Sequence, residues 1–95
     1  MAEYLVEVYV ARGDGTAADL GAERVQRAAE ELTREGTPVE FLRAIFVPED
    51  ETCFYLYDAD SADAVREAAG RAVLRFERIA EAVALARLEE VQPCR

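Results

Sequence analysis

Histidine is missing from this 95-residue chain, and with it the commonest general base and the commonest side-chain ligand for transition metals. No serine or cysteine has an imidazole to activate it, so triad chemistry is excluded. Lysine is missing too, and all eleven basic residues are arginine. Twenty acidic residues oppose them, for a formal net charge of −9. Nucleic acids and anionic membranes call for a positive surface, so neither is expected as a partner. A cationic or neutral ligand would not be repelled. Only two cysteines occur, Cys53 and Cys94, without metal-type spacing. They read as free thiols in a reducing compartment. No apolar run approaches the roughly 18 residues of a membrane span. The start, Met1-Ala2-Glu3, is acidic where a signal peptide would be basic, so a cytoplasmic location is expected. Gly13-Asp14-Gly15-Thr16 lacks the lysine of a phosphate loop and reads as a turn.

What is present is a globular pattern, 52% hydrophobic and 33% charged. The length suits one domain, residues 1–95, with 92–95 a frayed tail. Residues 3–11 are rich in β-branched and aromatic types and read as a strand. Thr16 offers an N-cap and Gly36 a C-terminal stop for a helix over about 17–35. Its apolar stripe is Ala18, Gly21, Val25, Ala28, Ala29 and Leu32. Strands at 39–47 and 52–57 flank the polar turn Pro48-Glu49-Asp50-Glu51, forming a hairpin. Asp60 or Ser61 caps a second helix whose stripe is Val65, Ala68, Ala69 and Ala72. From Arg75 to Glu90 the Ala, Glu, Arg and Leu content favours helix. Only topology speaks for a fourth strand there, since three strands would leave an open edge.

Side chains alternate along a strand. Val6, Val8 and Val10 share one face of the first strand, and Leu5, Glu7 and Tyr9 the other. In the third strand Phe54 and Leu56 oppose Cys53, Tyr55 and Tyr57. Phe41, Arg43 and Ile45 share a face of the second strand. Both faces are semi-apolar, so a sheet with its helices on one side needs a second cover, and a second copy of the chain supplies it. Arg43 among apolar neighbours needs a carboxylate, and Glu7 is the candidate. The expected site therefore gathers Glu7, Tyr9, Arg43, Tyr55 and Tyr57 on the open face, beneath a dimer interface.

Three stretches extend this reading: Val39-Glu40-Phe41-Leu42-Arg43, Phe54-Tyr55-Leu56-Tyr57-Asp58-Ala59, and Ala64-Val65-Arg66-Glu67-Ala68-Ala69 through to Val83. Together with the opening Tyr4-Leu5-Val6-Glu7 they resemble the DUF4242 family, some of whose members are described as nickel-binding. The resemblance implies an α+β, ferredoxin-like βαββαβ sandwich, a homodimer, and a last strand over Arg75–Val83. It also exposes departures. Arg43 stands where the family carries a strand histidine, and Ala68 where many members carry a helix histidine. Guanidinium is donor-only and cannot ligate a metal. Glu7 alone does not hold nickel, which prefers imidazole. No metal and no cofactor is therefore expected.

Two functions remain. One is a small-ligand-binding or accessory protein, with Arg43 gripping a small organic anion and tyrosines lining its pocket. The other is a cofactor-free isomerase, cyclase or monooxygenase, with Glu7 as base and Arg43 or Tyr57 stabilising an oxyanion. A Glu7–Arg43 contact speaks for binding, whereas a cavity between them speaks for catalysis.

Overall fold

The structure, a computed structural model, describes residues 1–83 and 85. The readings that concern Cys94, the end of the Arg75–Glu90 segment and the tail 92–95 lie outside the described residues. Strand β1 (Ala2–Tyr9) leads into helix α1 (Gly15–Arg34), strand β2 (Val39–Val47), a 3-10 turn (Pro48–Asp50), strand β3 (Thr52–Ala59), helix α2 (Ala62–Arg71) and strand β4 (Phe76–Ala82). All pairings are antiparallel, and the sheet order is β2-β3-β1-β4. This is the ferredoxin-like sandwich that the resemblance implied. No described helix is long and apolar enough to cross a membrane.

Local chemistry accounts for the element ends. Asp14, not Thr16, caps α1, its carboxylate accepting from the Ala17 N–H at 3.3 Å. Gly36 closes α1 in the left-handed region, φ 106°, while the Thr37 N–H reaches back to the Leu32 carbonyl at 2.9 Å. The Thr33 hydroxyl then donates to the Val39 carbonyl and accepts from the Val39 N–H, tying helix to strand. Ser61 caps α2 through the Ala64 N–H at 3.2 Å.

Both helices pack on one face of the sheet. The buried side of α1 is Ala18, Gly21, Val25, Ala28, Ala29 and Leu32, the stripe read from spacing. They meet Val6 and Val8 of β1 and Cys53, Tyr55, Tyr57 and Ala59 of β3. Phe41 packs edge-on against the Tyr57 ring, centroids 6.1 Å apart. The Tyr57 hydroxyl is fully shut from solvent and finds no partner among the described residues. Burial pushes its ionisation up. An unsatisfied phenol gives back nothing for its desolvation. Tyr57→Phe is therefore expected to leave stability unchanged or raise it by up to about 1 kcal/mol in urea denaturation. A loss of that size would mean that the hydroxyl is bonded.

Arg71 joins the C-terminal ends of the two helices. Its guanidinium donates to both Glu35 oxygens at 2.9 and 3.1 Å and lies 3.6–3.7 Å from Glu67 and Glu31. The bond from Arg71 holds the Glu35 carboxyl below its ordinary value of 4.5. A depressed carboxylate contributes stability that is present above that ordinary value and is lost as pH falls through the folded one. The gap in stability between the native protein and Arg71→Gln should thus be widest near neutral pH and shrink on acidification. Melting curves across pH 3–7, about the carboxylate range, test this.

Candidate functional site

The open face is laid out by the pairing register. One row across the sheet runs Glu40, Asp58, Glu3 and Ala82, from β2 to β4. The next runs Arg43, Leu56, Leu5 and Ala80, and the third Ile45, Phe54, Glu7 and Arg78. Leu42 is the extra residue of a β-bulge between Phe41 and Arg43. An apolar band of Leu5, Leu42, Ile45, Phe54 and Leu56 thus lies between a row of three carboxylates and the Glu7–Arg78 pair.

The structure divides the five expected ligand-binding residues. Glu7, Tyr9 and Arg43 belong to the open face. Tyr55 and Tyr57 do not: they are buried against the helices, opposite Val6 and Tyr4. The Tyr55 hydroxyl donates to the Ala18 carbonyl at 3.2 Å. The bulge also separates Phe41 from Arg43 and Ile45, so Phe41, Ala44 and Phe46 face the helices. Glu7 does not pair with Arg43. It accepts from Arg78 Nε at 2.6 Å, and that arginine sits directly opposite on β4. Arg43 lies on β2, two strands away and one row off. It has no ion pair among the described residues.

At the corner of this face a pocket of about 360 Å³ opens between β1, β4 and the start of β3. Glu7, Tyr9, Thr52 and Arg78 line it, together with Asp50, Glu51 and Glu77. Glu51 adopts a left-handed backbone, φ 50°, and accepts from the Arg12 N–H at 3.0 Å. With carboxylates outnumbering its single arginine, this corner suits a neutral or cationic molecule better than the anion expected from the sequence. Larger hollows of about 420 Å³ lie between α1 and edge strand β2, beside Gln26, Glu30 and Phe41.

The geometry does not assemble the proposed catalytic set. Glu7 is engaged by Arg78, its Oε1 accepting from Nε, and not by any group of the expected set. Of the two candidate oxyanion donors, Tyr57 is sealed on the opposite face of the sheet, and Arg43 stands two strands from Glu7, in the row of Leu56 and Leu5. Sequence reasoning missed Arg78, because its meeting with Glu7 depends on the register of β4. That register was invisible while the segment could still be read as a helix.

The donor set does not fit nickel. Among the described residues no three of the Asp, Glu and Cys side chains converge as a metal cage would need. Cys53 is fully buried opposite Val8, and burial pushes its thiol up, away from the thiolate that binds metal. The two positions that depart from the sequence resemblance also lie apart. Arg43 belongs to the open face, whereas Ala68 is fully buried on α2 behind the sheet. Histidines placed there could not share an ion within one chain.

Comparison with known proteins places the fold and the lineage. A crystal structure of SCO4226 from Streptomyces coelicolor A3(2) matches with a TM-score of 0.59 and 20% identity, over 90% of this chain and 100% of that one. At that identity the likeness speaks for the fold. No curated protein sequence matches. The family model described as "Nickel responsive protein SCO4226-like" matches residues 4–82, from β1 to the end of β4. The chain belongs to this SCO4226-like family.

Proposed function

We propose that the chain is a non-enzymatic, small-ligand-binding protein that works as a homodimer closed through the open face of its sheet. The observation that carries this reading is the unfinished chemistry of that face. Leu5, Leu42, Phe54 and Leu56 are only half-buried and Ile45 is 46% exposed. Burying such a band is worth about 25 cal/mol per Å². Charge complementarity then points to a second copy as the cover. Arg43 lacks a partner among the described residues, while one row away Asp58 stands between Glu3 and Glu40. A two-fold contact lets each copy set its Arg43 against the other's carboxylate row.

The corner pocket with Glu7, Tyr9 and Arg78 lies at the rim of this interface. Its ion pair and the hydroxyls of Tyr9 and Thr52 offer fixed hydrogen-bond groups to a small polar molecule. The family's description as nickel-responsive supports a ligand-responsive role. The donor set moves that ligand away from nickel.

Sedimentation at micromolar concentration tests the reading. The native protein should run as a dimer, and Leu56→Glu as a folded monomer with unchanged circular dichroism. Arg43→Asp should weaken the dimer, and adding Asp58→Arg should restore it. A native protein that stays monomeric up to millimolar concentration would overturn the interface. Calorimetry with nickel chloride should show no micromolar binding, and tight binding would overturn the choice of an organic ligand.

A further inference from the structure

We infer that a second pocket, on the helix side of the sheet, binds a small organic carboxylate between Arg24 and Arg75. The inference goes beyond the dimer reading and does not depend on the open face. The pocket, an open hollow of about 220 Å³, is bordered by the end of β1, the first half of α1 and the turn between α2 and β4. Its size suits a molecule like benzoate, not a nucleotide.

Its electrostatics run against the rest of the protein. The chain is rich in carboxylates, yet among the described residues none lines this pocket, whereas two arginines do. The corner pocket and the hollows along β2 each have carboxylates in their walls. Arg24 is held in place by its Nε, which donates to the Ala72 carbonyl at 3.1 Å. That bond leaves the terminal nitrogens of the guanidinium for a ligand, and neither Arg24 nor Arg75 has an ion pair among the described residues. A planar fork of this kind grips a carboxylate through two parallel hydrogen bonds. Val10, Tyr55 and Leu74 supply apolar wall beside it.

The turn at Val73 borders the pocket. Val73 sits just past α2 with a left-handed backbone, φ 62°, its N–H bonded to the Gly70 carbonyl. Glycine is the usual occupant of such a position, and a β-branched residue is an outlier there. Val73 is 71% exposed, so its own burial does not repay the strain. The residue does form part of the pocket wall. The helix end holds this turn in place, the Leu74 N–H returning to the Ala69 carbonyl with Leu74 buried beneath it.

Titration with sodium benzoate, followed by protein NMR and by calorimetry, tests the assignment, with benzamide as the uncharged control. Benzoate should bind saturably and benzamide should not. Arg24→Gln and Arg75→Gln should each weaken binding about ten-fold or more, the loss of a charge-assisted pair. Val73→Gly should melt higher than the native protein yet bind benzoate more weakly. The monomeric Leu56→Glu variant should bind as the native protein does, which separates this site from the dimer. Failure of benzoate to saturate at millimolar concentration overturns the inference, as does equal binding of benzamide. Undiminished binding by the variant carrying both arginine replacements also overturns it.

Discussion

Leu32→Ala should remove a large part of the stability of this protein. Leu32 closes the last turn of the buried side of α1 and is 1% exposed. Truncation loses the transfer free energy of its methyl groups and leaves a cavity, together about 2–5 kcal/mol. The surrounding core is built largely of Ala and Val, whose short side chains cannot reach across to refill the space. A domain of this size holds only about 5–15 kcal/mol in all. Each kcal/mol lost shifts melting by about 4–8 °C at this length. Leu20 on the same helix is 48% exposed and provides the control. Leu20→Ala should change stability by less than about 0.5 kcal/mol. Urea denaturation of the pair checks both, and comparable losses would refute the packing described for α1.

Gly21→Ala carries the second large effect, and it runs against helix propensity. On an exposed helix this change would stabilise by about 1 kcal/mol. Here a Cβ on Gly21 would press into the Tyr55 hydroxyl and lie 3.2 Å from its ring carbon Cζ. Neither the strand backbone nor the buried ring can yield easily, and the hydroxyl is already bonded to the Ala18 carbonyl. Overpacking of this sort costs about 1–3 kcal/mol. The Tyr55→Phe background discriminates the cause. Without the hydroxyl most of the clash disappears, so Gly21→Ala should there be neutral or mildly stabilising. A double-mutant cycle measures this coupling directly. Additive losses would show that Gly21 is required for some reason other than Tyr55.

Those two residues also show why the sequence reading went astray at the site. Phe54 and Leu56 on one side of β3, and Tyr55 and Tyr57 on the other, are similarly apolar, so alternation could not say which pair faces the helices. The expected Glu7–Arg43 pair drew the tyrosines to the open face with it. What decides otherwise is Gly21, a glycine inside an apolar helical stripe, which leaves room for the Tyr55 hydroxyl to reach the Ala18 carbonyl. That glycine was the available signal. The bulge at Leu42 carried no such mark, because no glycine or proline accompanies it, and it broke the simple alternation of Phe41 with Arg43. Strand β4 was hidden for another reason. It is an edge strand with exposed Glu77, Arg78 and Glu81, and a polar edge of helix-favouring residues has no strand period to read. The helices were legible because burial follows their period. The six residues of the α1 stripe are those that the structure buries.

The central position of β1 has a consequence for how the protein is born. Both neighbours of Ala2–Tyr9 are encoded far downstream, at Thr52–Ala59 and Phe76–Ala82. On the ribosome the first strand emerges with no mate and waits for most of the message to be translated. The hairpin of β2 and β3, whose pairing is local, can form earlier. Until β3 and then β4 arrive, Tyr4, Val6 and Val8 belong to a nascent segment with two bare edges, the kind of surface that chaperones guard.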